Sequence, residues 1–176
     1  MASLSEFFSD PASGGEWTVV PDQSTILVKA KSMWGLASVK LRYSDFSGEG
    51  QITAPQTVSG RLDIKAASVQ TGIRKRDDHM RSADYFEVDK YPDINVVVTG
   101  ADAINGDSLD LRTDLTIKGV TKPVVLKTKV TPVGDGGMRL SAQATINRQD
   151  FGVDGNLMGM IPDNATISGD VVFRRG

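Results

Sequence analysis

The residues best equipped for chemistry lie between Thr71 and Pro92, TGIRKRDDHMRSADYFEVDKYP. The chain's one histidine, His79, sits there with Asp77 and Asp78 before it and Ser82 after it. A histidine beside carboxylates and hydroxyls could serve acid–base or nucleophilic catalysis. That chemistry also needs a nucleophile held by the base, a third group orienting the base, and donors for an oxyanion. No Gly-x-Ser-x-Gly elbow accompanies it. The charges have a second reading. Arg76, Asp77, His79 and Arg81 would form a hydrogen-bonded network pinning the segment in place, since charges away from water persist mainly when paired. Ser82 would then be a helix N-cap, with Tyr85 and Phe86 turned to the apolar interior. The second reading is the stronger, and no catalytic residue is assigned.

Asn147, Arg148 and Asp150 form another polar group. Asn and Asp bond readily to nearby backbone, and Gly152 permits a bend, so this group is expected to shape a strand exit. Lys118 to Lys122 lacks the glycine spacing of a phosphate loop and reads as a hairpin. With no cysteine and a single histidine, disulfides, thiolate nucleophiles and His-rich metal sites are excluded. Neither a metal nor a cofactor is expected. A formal charge of −2 argues against nucleic acid as a partner, because phosphate neutralisation needs clustered Lys and Arg. No apolar run approaches the roughly 20 residues that span a bilayer, so no transmembrane segment is expected. The opening MASLSEFFSDPASGGE lacks the basic and apolar regions of a secretory signal. Residues 1–15 are expected to be a flexible leader before one domain over residues 16–176. The expected address is the cytoplasm, or the periplasm or exterior if a signal has been removed.

The elements that must position these residues alternate with period two. Ile26, Val28 and Ala30 share one face, as do Val39, Leu41 and Tyr43, then Leu62, Ile64 and Ala66. The pattern resumes after the charged stretch: Ile94, Val96 and Val98; Leu109 to Ile117; Val124 to Val130; Met138 to Ile146; and Ile167 to Phe173. Ser47 to Gly50 reads as a bend, and Asn105 to Asp107, Lys118-Gly119 and Gly134 to Gly137 as turns. Roughly eight strands with short turns predict an all-β, eight-stranded antiparallel barrel, with a short helical insertion over about residues 73–88. Strands this long can enclose one slender ligand. Leu62, Ile64, Val96, Leu111, Leu126 and Val171 are candidate wall residues. Small Ala142 and Ala144 would leave volume between them, unless large residues such as Phe173 and Met138 fill it. Thr113 and Thr128, inward but polar, could hold a head group.

Several blocks together resemble the YceI-like family of lipocalin-like barrels. They are Trp17, Asp22 and Ser24; Phe46, Gly48 and Gly50; and the most specific run, Ser68, Thr71-Gly72, Arg76-Asp77, His79, Arg81-Ser82, Asp84, Tyr85 and Phe86. Tyr91-Pro92, Leu115 to Pro123 and Ile146 to Gly152 complete a similarity running from Trp17 to Phe173. The resemblance implies a barrel whose cavity binds polyisoprenoids, isoprenoid quinones or fatty amides, without catalysis. Many members carry a histidine just after the second strand, where this chain has Lys31-Ser32-Met33-Trp34.

Two apolar loops interrupt the pattern, Met33-Trp34-Gly35-Leu36 and Leu157-Met158-Gly159-Met160-Ile161. Apolar loops need a covering partner, and methionine adapts to irregular apolar shapes. Met33, Trp34, Leu36, Leu157, Met158 and Met160 are therefore candidates for a cavity mouth. Simple packing or a contact in a homodimer would also cover them. The expected function is non-covalent binding of a long isoprenoid or other lipid. The alternatives are an enzyme of lipid-like substrates using His79, and a stress-associated interaction barrel with a filled interior.

Overall fold

The computed structural model describes residues 14–32, 37–53, 57–104, 106–134, 136–154 and 163–175. Among them are eleven strands and one α-helix. In chain order these are β1 (Gly15–Val19), β2 (Thr25–Ser32), β3 (Ala37–Tyr43), β4 (Phe46–Thr53), β5 (Thr57–Lys65), β6 (Val69–Gln70), α1 (Arg74–Arg81), β7 (Asp93–Ala103), β8 (Ser108–Ile117), β9 (Val120–Val133), β10 (Gly137–Asn147) and β11 (Asn164–Arg175).

The eleven strands make eight runs of chain. β1 continues into β2 through a 3-10 turn at Pro21–Gln23. β5 continues into β6 through another at Ala66–Ser68. β3 and β4 are separated only by Ser44 and Asp45. Each run pairs antiparallel with the next, and the last strand returns to the first. β11 lies along β2 from Thr166 to Asp170 and along β1 at Phe173 to Arg175. The result is the expected all-β, closed eight-stranded barrel, with its three corners in the first three runs. Closure leaves no unpaired edge strand on the ring, although β9 and β10 pair only between Lys127–Val133 and Gly137–Gln143.

The alternating faces fall as the pattern requires. In β8 the odd positions Leu109, Leu111, Thr113, Leu115 and Ile117 are all buried. Lys118 and Gly119 close the β8–β9 hairpin with φ of 52° and 75°, the two-residue turn that suits strand twist. Gly119 is needed twice over, because a Cβ there would stand 2.7 Å from the Tyr91 ring. The expected bend at Ser47 to Gly50 is not a bend. That stretch is uninterrupted strand in β4. Its glycines face β5 at close range: Gly50 pairs with Gly60, and a Cβ on Gly60 would meet the Glu49 carbonyl oxygen at 2.9 Å. Here glycine serves close approach rather than a turn.

All the strand ends that flank the charged insertion also flank the turn after β8 and the exits of β2 and β10. This end of the barrel is capped by α1 and the turns that follow it. Met80, Tyr85 and Phe86 are buried there with Tyr43, Phe151 and Val153 in one apolar cluster. A second cluster, with Trp17, Ile52, Leu109, Leu111, Val130 and Met138, occupies the far end.

Candidate ligand cavity

Phe173 packs against both clusters, but the inward side chains leave the interior unfilled. They enclose a cavity of about 870 Å³ that touches every run of the barrel. Its wall is aliphatic and aromatic over nearly its whole length. Many wall residues that the alternation directs inward, including Val28, Leu62, Val96, Leu126, Leu140 and Ile167, are only half-buried. Paired small residues widen the lumen: Gly50 opposite Gly60, and Ala142 opposite both Gly169 and Thr128. A cavity of this size lies within the ordinary range for small-molecule sites.

Of the expected wall residues, Leu62, Ile64, Tyr85, Phe86, Val96, Leu111, Leu126, Ala142 and Val171 border the cavity. Thr113 and Thr128, candidates for holding a head group, do not border this cavity. Both are buried, but their hydroxyls are spent on strand carbonyls, Thr113 Oγ1 donating to Val124 O at 2.7 Å and Thr128 Oγ1 to Leu126 O at 3.0 Å. Ala144 pairs with Ile167 and is half-buried, yet it stands outside the cavity wall. Met33, Trp34, Leu36, Leu157, Met158 and Met160 lie outside the described residues.

The charged segment does close one end, with a different wiring from the expected network. Its ionic side chains bond mainly to backbone, with two pairs among themselves, Arg81 with Asp78 at 3.0 Å and His79 with Asp84. Asp77 Oδ1 accepts from Thr71 N and from Thr71 Oγ1, both at 2.6 Å. These bonds hold the Asp77 carboxyl below its ordinary pKa. Arg76 donates to Thr71 O at 2.8 Å, and Arg81 to Ala67 O at 2.8 Å and Val69 O at 3.3 Å. Lys118 spans the same end, donating to Ala83 O at 2.9 Å and Gly152 O at 3.1 Å. α1 is also shorter than the expected insertion. Ser82 ends it instead of starting one: its hydroxyl donates to His79 O at 2.6 Å, and turns carry the chain on through Phe86.

His79 Nε2 is 2.9 Å from Asp84 Oδ2, and its ring stands edge-on to Tyr85 with centroids 5.0 Å apart. Among the described residues no cluster of metal-ligating side chains occurs. The Asn147 group shapes the strand exit after β10. The Asn147 side chain accepts from Gln149 N, and Gly152 takes a left-handed φ of 72°. Arg148, however, also borders the cavity. It is buried, and its guanidinium donates to Val153 O at 2.7 Å.

Several wall residues with polar atoms were not assigned from the sequence as ligand-binding, among them Tyr43, Lys75, Arg76 and Arg148. The alternation already directed Tyr43 inward, and that was the available signal. Among the described residues the Tyr43 hydroxyl has no hydrogen-bond partner. Its ring meets Phe86 edge-on at 6.0 Å, and burial pushes its pKa above the ordinary value.

The family model for the YceI-like domain matches residues 17–173, which is nearly the whole barrel. The chain belongs to the YceI-like family. A UPF0312 protein of Pseudomonas putida is 34% identical over 128 residues, covering 69% of this chain and 67% of the relative. One from Pseudomonas aeruginosa is 38% identical over 119 residues, covering 64% and 62%. Among solved structures, BcnA of Burkholderia cenocepacia superposes with a TM-score of 0.78 at 21% identity, over 88% of this chain and 98% of that one. A polyisoprenoid binding domain from Saccharophagus degradans, implicated in plant cell wall breakdown, has a TM-score of 0.75 at 18% identity, over 91% and 98%. At these identities the two structures speak to the YceI-like fold alone.

Proposed function

We propose that this YceI-like chain is a non-catalytic binding protein that carries or stores a long apolar lipid along the barrel axis. A polyisoprenoid, an isoprenoid quinone and a fatty amide all have the required shape. The cavity carries the reading: about 870 Å³, bordered by residues of both apolar clusters and walled largely by buried and half-buried apolar side chains. Burial of apolar area contributes roughly 25 cal/mol per Å², so a chain enclosed on all sides binds without any reactive group. The Saccharophagus degradans domain, described as polyisoprenoid-binding, supports the same reading by likeness of fold.

The arrangement around His79 favours binding over turnover. The imidazole faces Asp84, and the nearby Ser82 hydroxyl is engaged with a backbone carbonyl instead of the ring. A side-chain-filled interior is the other alternative, and the cavity speaks against it. The deciding measurement is mass spectrometry of an organic extract of the purified protein. A recurring long-chain species in near-stoichiometric amount is expected. Repeated extracts without one, from protein that also takes up no added lipid, would refute the proposal.

A further inference from the structure

The ring of paired strands is incomplete along one boundary. β9 stays on β8 down to the rung of Ile117 and Val120, and β10 stays on β11 down to that of Asn147 and Asn164. Between β9 and β10 the ladder runs only from the rung of Gly137 and Val133 to that of Gln143 and Lys127. Among the described residues no backbone hydrogen bond joins Val120–Leu126 of β9 to Ala144–Asn147 of β10. On the β10 side the parted stretch is four residues, roughly 13 Å of strand.

The residues at this boundary explain the parting. Pro123 has no N–H to give a ladder, and proline within a sheet belongs to edges and bulges. Lysine, here Lys122, is the other residue that commonly blunts an edge. At the opposite lip Arg148 N donates to Asp163 O at 2.8 Å, which ties the chain leaving β10 to the residue before β11. Lys122 carries a second sign. Directly opposed residues share a face, so Lys122, opposite buried Leu115, holds an inward position, yet it is exposed. The lips are otherwise apolar. Leu126 and Ile146 border the cavity, and Val124 and Ala144 beside them are half-buried. On the outer face Val125 is 47% exposed. The α1 end offers the competing route, since exposed Ile73 borders the cavity there.

We propose that the apolar chain of the lipid enters and leaves the cavity sideways, through the parted stretch between β9 and β10. An unpaired stretch opens at low cost, because no ladder has to break. Its apolar lips then offer an alkyl chain continuous contact from the outer surface to the lumen. This rests on the lipid-binding reading and adds the route of exchange.

The chain has no cysteine, so a pair can be introduced and bridged cleanly. Continuing the register outward from Gln143 and Lys127 sets Thr145 opposite Val125, both exposed. Stopped-flow fluorescence with cis-parinaric acid, an intrinsically fluorescent fatty acid, reads uptake by delipidated protein and release from loaded protein. In Val125→Cys/Thr145→Cys, bridging with a bis-maleimide should slow both rates by about tenfold or more and hold Kd within about twofold, because a raised barrier acts equally in both directions. Lys127→Cys/Gln143→Cys, bridged where the ladder already holds, should keep the rates of the unaltered protein. Unchanged rates in the first bridged protein overturn the inference and assign the passage to the α1 end. Slower release with unchanged uptake also overturns it, since a portal cannot act on one direction alone. Hydrogen exchange tests the opening without lipid. Amides of Val120–Leu126 and Ala144–Asn147 directed across the boundary should be protected at least about tenfold less, relative to intrinsic rates, than those directed across it from Lys127–Val133 and Gly137–Gln143. Equal protection overturns the inference and leaves lipid binding standing. Failure of the unaltered protein to take up cis-parinaric acid overturns the lipid-binding reading and this inference with it.

Discussion

Replacing Ala142 with leucine tests whether the lumen is a binding space. Ala142 faces the cavity between Thr128 and Gly169, the narrow side chains of its neighbouring strands. A leucine adds three carbons, each worth about 0.8 kcal/mol if fully removed from water, so about 2 kcal/mol is the ceiling. One flank of the new side chain stays on the lumen, which halves the gain to about 1 kcal/mol. For a chain of this length that raises the melting temperature of delipidated protein by about 2–4 °C. The same leucine occupies volume a guest would use. Losing contact for about two methylenes weakens lipid binding by about tenfold. Differential scanning calorimetry and titration with a fluorescent fatty probe read the two effects separately. Ala142→Leu protein destabilised by about 1–3 kcal/mol, the usual cost of overpacking, with lipid affinity unchanged, would refute the reasoning.

Other positions give equally definite expectations. Gly60→Ala forces a Cβ to 2.9 Å from the Glu49 carbonyl and 3.2 Å from Gly50 Cα, so denaturant titration should show a loss of about 1–3 kcal/mol. Gly169→Ala meets its nearest atoms at 3.5 Å and should stay within about 1 kcal/mol of the parent. Tyr43→Phe removes a buried hydroxyl that lacks a partner among the described residues; thermal unfolding should show unchanged or slightly higher stability, by up to about 1 kcal/mol. Asp77 has its pKa lowered by the Thr71 bonds, so its contribution is fully present above the ordinary value of 3.8 and is lost as pH falls from there through the lowered value. Hydrogen-exchange protection over residues 71–82, measured relative to the intrinsic rate at each pH, should therefore fall in acid, and Asp77→Asn should show the lower protection already at neutral pH.

Much of the barrel was legible in the chain because each strand's facing is a local property. The side-chain period of two assigned Ile26, Leu41, Leu62, Leu115 and Ile167 to the inner face without reference to any other strand. The Lys118-Gly119 turn was equally local, since two positive φ values are a demand on two residues. The glycines of β4 misled as a bend because their reason lies on another strand, in the close backbone of Gly60 and Arg61. Thr113 and Thr128 misled for a related cause. Their inward facing was readable, while the carbonyls that engage their hydroxyls depend on strand register and rotamer.

Sequence alone determined which residues face in, that the strands are long, and that one charged insertion interrupts them. Only the tertiary structure decided that the ring closes through β11 onto both β1 and β2, and that its side chains leave a cavity. A lumen is a collective quantity, the difference between the space inside the ring and the volumes of all its inward side chains, so no single residue type announces it. The charged insertion shows the same division. Its letters held arginines, a histidine and aspartates. The fold sorted them, turning the aspartates to Thr71, Arg81 and His79 and leaving Lys75, Arg76 and the distant Arg148 on the cavity wall, because α1 and the exit of β10 share one end of the barrel.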